Sequence, residues 1–276
     1  MEKKQQSEEP TISALILAKD EQDMLESCLS CLKWCDEIVL LDTGSSDDTV
    51  QIAERFGARV IRFKHSSFAR LREELQKHAR SEWVFFVDAD ERVLPKLAKE
   101  IQVHIETSSV AAVSMKRANI FFGKTLSYGG WGTEIVTRVF KSSALTGWKG
   151  DIHESPVFEG AVSTVTTPLV HLTHRNTRSG LLKSAAWTWM EAQALHHSGI
   201  ATVTMWTLLR KGCMEFIRRI FLKKGYKDGM EGIIEAIIQS WNRVIVYIQV
   251  WELQQKPTLP QRYSSIESEI AESWKK

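Results

Sequence analysis

The chain has 276 residues, 43% of them hydrophobic and 25% charged, with a formal net charge of only +2. That is enough material for one catalytic domain with a buried core plus an extension, and it contains no internal repeat or low-complexity tract. No nucleic-acid partner is expected, and the four cysteines read as reduced thiols of a cytosolic protein rather than a disulfide framework.

Residues 1–10, MEKKQQSEEP, form a polar tail expected to be disordered, without the apolar stretch of a secretory leader. Ile12 to Ala18 then reads as a buried strand that runs into Lys19, Asp20 and Glu21. A helix follows with Met24, Leu25, Cys28, Leu29 and Leu32 at helical spacing, and Cys28, Cys31 and Cys35 continue the same face. Glu37 to Leu41 is a second strand ending at Asp42, and TGSSDDT opens into a helix over Val50 to Phe56, closed by Gly57. Ala58 to Phe63 is a short strand and Phe68 to Ala79 a helix. Trp83 to Val87 has the β-branched and aromatic content of a buried parallel strand, and it ends abruptly in Asp88, Ala89, Asp90 and Glu91.

This order predicts a doubly wound α/β fold with right-handed crossovers, and no GxGxxG follows any strand, so a dinucleotide site of the usual kind is not expected. Ligands of open α/β sheets bind at the carboxyl ends of the strands. Asp20, Asp42 and the pair Asp88 and Asp90 all fall at such ends. Acids gathered there suit the donors of a nucleotide's base and ribose, and carboxylates one residue apart at a strand tip can hold a hard divalent cation. The alternative is that the pair only caps the next helix.

LILAKDE, DEIVLLDTGSSDDT and WVFFVDADE, in this order and at these separations, resemble the nucleotide-sugar-binding half of glycosyltransferase family 2. WKGDIHE, PLVHLTHR and FLKKGYKDGMEG narrow the resemblance to bacterial lipopolysaccharide-core β-1,4-glucosyltransferases and their relatives. The resemblance implies a GT-A fold over residues 11–178, with a nucleotide-sugar-binding half over 11–95 and an acceptor half over 96–178. It implies that Ala18, Asp20, Glu21 and Ala89 line the nucleotide sugar, most readily a UDP-hexose. Asp42 would contact the nucleobase, Asp88 the ribose or the metal, and Asp90 the metal, Mg2+ or Mn2+. The family typically carries asparagine in the helix before the DxD strand where this chain has Glu73.

Val110 to Lys116 and Ile135 to Phe140 alternate like strands, joined by the glycine-rich YGGWG, whose Trp131 offers a flat face for a sugar ring or simply packs in a turn. Transfer with inversion needs one carboxylate to take the acceptor proton; in GDIHES the resemblance favours Glu154 for that role, with Asp151 its competitor and an ordinary surface turn the alternative for both. His171 is expected as a metal or diphosphate ligand by resemblance, against a satisfied core histidine. Arg138 is read either as a phosphate partner or as an ordinary strand residue.

Beyond residue 178 the pattern becomes helical, over Leu181 to His197, Val203 to Lys224 and Gly232 to Trp251, in an extension assigned to 179–263. Between Met205 and Met230 seven cations face two acids, Glu215 and Asp228, a local excess of +5 beside Trp206, Leu209, Cys213, Phe216, Ile217 and Ile220. This predicts a helix lying on an anionic membrane surface, or else one packed on the domain with a solvated basic face. Residues 264–276 are expected to be a frayed tail.

Together these features predict an inverting, metal-dependent glycosyltransferase on the inner face of the cytoplasmic membrane, extending an envelope glycolipid or lipopolysaccharide core. Transfer to a polyprenyl phosphate is the second enzymatic reading, and a non-catalytic sugar-nucleotide or lipid-binding subunit the third.

Overall fold

A computed structural model describes residues 10–107, 109–150 and 154–275. The chain divides into two compact units. The first runs to Ile120 and resumes over Trp131–Thr173; the second joins Phe121–Gly130 to the chain from His174 onward. By this division, residues 121–130 and 174–178 of the expected acceptor half group with the helical unit.

In the first unit, β1 (Ile12–Ala18), α1 (Gln22–Ser30), β2 (Glu37–Asp42), α2 (Thr49–Arg55), β3 (Arg59–Arg62), α3 (Phe68–Lys77) and β4 (Trp83–Asp88) follow the sequence reading within two residues at nearly every end. Then come β5 (Glu91–Arg92), α4 (Pro95–Thr107) and β6 (Ala112–Phe121), which leads into β7 (Lys124–Thr125) of the second unit. The first unit closes with β8 (Ile135–Lys141), β9 (Leu145–Lys149), β10 (Ser155–Phe158), β11 (Val162–Thr164) and β12 (Leu169–Leu172).

Its main sheet has the order β3-β2-β1-β4-β8-β6-β12-β5, with β11 beside β6. β3, β2, β1 and β4 are mutually parallel, whereas β8 runs antiparallel to both β4 and β6. This is the doubly wound mixed sheet the sequence predicts. Both faces are apolar because both are covered. Ile12, Ala14, Ile16, Trp83, Phe85 and Val87 pack on one side with Leu25, Leu29, Leu97 and Ile101 of α1 and α4. Leu15, Val84 and Phe86 face the other side with Leu71 and Leu75 of α3. Of the three cysteines expected to share a buried face, Cys28 is buried, while Cys31 and Cys35 lie half-buried at and beyond the end of α1.

In the second unit, α5 (Thr177–His197) starts on Asn176, whose side chain accepts from the Ser179 amide at 2.9 Å. α6 (Met205–Ile217) opens on a Thr204–Thr207 capping box and packs closely on α7 (Gly229–Leu253), where a Cβ on Gly212 would come within 2.7 Å of Val244. The helix expected over Val203 to Lys224 is not continuous: a π-helical turn spans Arg218–Leu222, and Lys224 is left-handed. Ile220 is buried and Phe216 half-buried, so the exposed apolar side chains are Met205, Trp206, Leu209, Met214, Ile217, Phe221 and Leu222. α7 adds Met230, Ile234, Ile237 and Trp241 at spacings of three and four, also exposed. Where a frayed tail was expected, α8 (Leu259–Ser273) forms a capped helix with no buried residue. No helix among the described residues is long and apolar enough to cross a membrane.

α4 is tied to the approach of β12 by Glu100, whose carboxylate accepts from the hydroxyls and amides of Thr166 and Thr167 at 2.6 to 3.0 Å. The Thr167 hydroxyl contributes most to holding this carboxyl at about 2. A depressed carboxylate stabilises the fold above its unfolded pKa and loses that contribution as the pH falls through its folded value. We expect carboxyl 13C NMR to give Glu100 a midpoint near 2, and Thr167→Val to move it up toward the ordinary range.

Candidate active site

β4 delivers Asp88 at the sheet edge and the chain then turns through Ala89 and Asp90 into β5. The pairing of β5 with β12 sets His171 opposite Glu91, and the Leu172 amide donates to the Asp90 carbonyl at 2.8 Å. On its other side β12 pairs with β6, so that His171 is also in register with Asn119. Two strand registers thus fix one histidine between an amide and the acid pair.

The result is a continuous chain of polar contacts. Glu154, just before β10, accepts from Arg72 Nε at 2.7 Å; Arg72 Nη2 reaches Asp88 at 3.4 Å. Asp88 and Glu91 share Arg138 Nη2 at 2.5 and 2.8 Å. Glu91 also meets Arg117 at 3.4 Å, and Arg117 forms a two-pronged pair with Glu134 at 2.7 and 3.1 Å. Asn119 donates to Glu134 at 2.8 Å and its carbonyl oxygen meets His171 Nδ1 at 2.7 Å, while His171 Nε2 lies 3.3 Å from Asp90 Oδ2. Arg72 is held flat by aromatic faces, its guanidinium carbon 5.1 Å from the centre of the Trp148 ring and 5.5 Å from that of Phe86.

Burial works against the charge on Asp88, but the guanidiniums of Arg138 and Arg72 outweigh it and hold the carboxyl at about 2. Glu91 is fully buried, and burial pushes its carboxyl up. The same two acids push Arg138 further up despite its own burial. Arg138, read either as a phosphate partner or as an ordinary strand residue, pairs inside the sheet with Asp88 and Glu91.

The neighbouring strand ends are joined by the loop after β2. Asp42 accepts from the amides of Gly44 and Ser45 at 3.2 and 3.0 Å, shaping the turn. Asp20 accepts from the Ser46 amide at 2.6 Å and the Glu21 amide donates to Thr49 at 2.8 Å, so the ends of β1 and β2 are laced together, with Ala18 taking the Thr43 amide. A recess of about 390 Å3 lies here, lined by Asp42, Gly44, Ser45, Arg62, Phe63 and Lys64. Gly44 has φ +109°, and a Cβ there would strike Lys64.

Of the sequence candidates, Asp88, Asp90, Ala89, Arg138, His171 and Glu154 belong to the charge chain or its turn, Asp42 lines the recess, and Ala18, Asp20 and Glu21 take part in the bonds that lace the ends of β1 and β2. Trp131 is half-buried, and its carbonyl accepts from Asn119 at 3.3 Å. Asp151 lies outside the described residues. Glu73 pairs with Arg70 on the surface of α3 at 3.3 Å, and the residue that reaches the acids is Arg72. Arg72, Arg117, Asn119 and Glu134 went unread in the sequence, since each is a single polar residue in an otherwise ordinary strand, helix or loop.

No group of three histidine, cysteine or acidic residues suited to a metal occurs among the described residues. A divalent cation nevertheless fits the pair Asp90 and His171: Nδ1 is oriented by the Asn119 carbonyl oxygen, and Nε2 and Asp90 Oδ2, both atoms able to ligate a cation, lie 3.3 Å apart. The remaining ligands would be water or substrate oxygens.

Residues 13–154 match the profile of the family described as Glycosyl transferase family 2. The chain belongs to that family. It is 25% identical over 263 residues to the lipopolysaccharide core biosynthesis glycosyltransferase LpsC of Rhizobium meliloti, covering 91% of this chain and 94% of that one. It is 23% identical to an uncharacterized glycosyltransferase of Rickettsia bellii, covering 88% and 86%. Among solved structures, S. aureus TarS 1-349 in complex with UDP-GlcNAc aligns at a TM-score of 0.47 with 12% identity, covering 88% of this chain and 90% of that chain. Glucosyl-3-phosphoglycerate synthase from Mycobacterium tuberculosis, in complex with Mn2+ and UDP, aligns at 0.46 with 19% identity, covering 70% and 81%.

Removing one partner of a buried ion pair typically costs about 3–5 kcal/mol, because the other charge stays buried. Arg138→Met should therefore lower the free energy of unfolding from urea titration by an amount in that range. Adding Glu91→Gln to that variant should recover part of it, since one of the two stranded charges is then gone.

Proposed function

We propose that this chain is an inverting glycosyltransferase that moves a hexose from a nucleotide sugar, most readily UDP-hexose, to a hydroxyl of an envelope glycolipid or lipopolysaccharide core. The observation that carries the reading is that the Glu154 carboxylate and the Asp90–His171 pair are the two ends of one linked set of charges. The likeness to LpsC over nearly the whole of both chains supports the acceptor class.

In this reading the recess beside Asp42 takes the base, and Asp88 lies toward the ribose. Asp90 and His171 hold a divalent cation, which when bound neutralises charge on the departing nucleoside diphosphate. Glu154 takes the proton of the acceptor hydroxyl as that oxygen attacks the anomeric carbon from the side opposite the leaving group. Arg72 holds Glu154 in place. Trp131 offers its ring to a sugar.

Calorimetry with UDP and manganese separates the two ends. Asp90→Asn should abolish the manganese-dependent part of UDP binding, and unchanged affinity would sink the metal assignment. Glu154→Gln should keep UDP affinity while turnover falls ~10²-fold or more, the usual scale for a lost general base.

The protein is further proposed to work at an anionic membrane surface on the cytoplasmic side. Exposed Met205, Trp206, Leu209, Phe221 and Leu222 beside Arg210, Lys223 and Lys224 support this. Each cation near such a surface is worth about 1 kcal/mol, screened within about 8 Å at physiological salt. Co-sedimentation with phosphatidylglycerol vesicles should decline along a salt series and weaken in Trp206→Ser. Equal pelleting with neutral vesicles, or none at all, would reduce the basic face to a solvated one.

A further inference from the structure

The conspicuous sequence FLKKGYKDGMEG has no part in the chemistry above, and in the second unit it is folded tightly around a glycine turn. Asp228 is buried, and its carboxylate accepts from the amides of Ser127 and Tyr128 at 2.7 to 3.1 Å. Its carbonyl takes Lys124 Nζ at 2.6 Å. Arg219 donates to the Gly129 carbonyl at 3.1 Å, and the Gly129 amide donates to the Lys223 carbonyl at 2.9 Å. A Cβ on Gly225 would come 2.8 Å from the Arg219 carbonyl oxygen and 3.4 Å from the Gly129 Cα. The Tyr128–Gly130 turn is thus fixed from three directions.

What this clamp presents is cationic. Gly130 has φ +102°, and a Cβ there would lie 2.6 Å from Lys223 Nζ, so the ammonium rests against bare backbone. Lys227 sits over the Tyr128 ring at 5.4 Å. Glu215 is the acid that acts on Lys223, yet it is already held by Arg218 at 2.6 Å and Arg219 at 2.7 Å. Burial and these two guanidiniums push the Lys223 ammonium down from its ordinary range. Among the described residues Lys223 has no acid within ion-pair distance. A cation crowded by like charges against a rigid turn is stabilised by an arriving anion. Phe221 and Leu222, exposed immediately before it, suit an anion carried on an amphiphile.

We propose that the Tyr128–Gly130 turn with Lys223 and Lys227 binds a phosphate monoester borne by the glycolipid acceptor. This rests on the transferase reading for the identity of the carrier, while the anion site itself stands on the geometry of the second unit.

The test uses full-length protein labelled with 13C-lysine, titrated with glycerol 3-phosphate at constant ionic strength. The Lys223 and Lys227 signals should shift together and saturate, with Lys224 unmoved. In Lys223→Met the response of Lys227 should weaken about tenfold or more in apparent affinity, and Lys223→Arg should keep it. Linear, unsaturated shifts shared by Lys224 would mean charge screening alone and overturn the proposal. Displacement of the ester by an equal concentration of inorganic phosphate would assign the site to free phosphate and overturn the acceptor assignment. Nucleotide-sugar hydrolysis is measured on the same sample. Its absence in the unaltered protein would count against the transferase reading, and the lysine signals would still decide the anion site.

Discussion

Glu91 is the constraint on which the active-site end of the first unit depends. A carboxylate with no exposure to water is tolerated only if charge and hydrogen bonds replace its hydration. Arg138, Arg117 and the Asp88 amide supply them. Because those partners come from β8, β6 and β4, satisfying one acid locks three strands at the same height. Its neighbours Asp88 and Asp90 are then presented with no freedom to choose another arrangement. Buried ion pairs of this kind add little net stability and are better understood as fixing which arrangement is adopted.

The chain of contacts from Glu154 to Asp90 links five acids through three arginines, Asn119 and His171. Asp90 and His171 converge at one end, and Glu154 pairs with Arg72 at the other. One network thus fixes both ends of the sheet edge relative to each other.

Much of the first unit was legible because hydrophobic runs ending in acids are a local signal. Ile12–Ala18 and Trp83–Asp88 announced themselves by composition, and Asp42, Asp88 and Asp90 by their place at strand ends. The companions were not legible. Arg72 looks like any helix arginine, and Arg117, Asn119 and Glu134 acquire meaning only through the β6–β12 and β6–β8 registers. Arg138 was noticed, but a strand arginine does not reveal which acids its register brings alongside, here Asp88 and Glu91. In the helical unit, an apolar stripe with cations was visible, but the π-helical turn at Arg218–Leu222 was not, and that turn buries Ile220 while exposing Phe221 and Leu222.

The anchoring of Ser127 and Tyr128 by Asp228 also bears on how the protein is made. The two partners are about a hundred residues apart in the chain. At a synthesis rate of about 5–20 residues per second, the turn waits roughly 5–20 s on the ribosome before its anchor has been translated. β6 and β8, on either side of it, can meanwhile pair without it. The segment from Phe121 to Gly130 is therefore among the last parts of the nascent chain to gain its structure, although it is encoded near the middle.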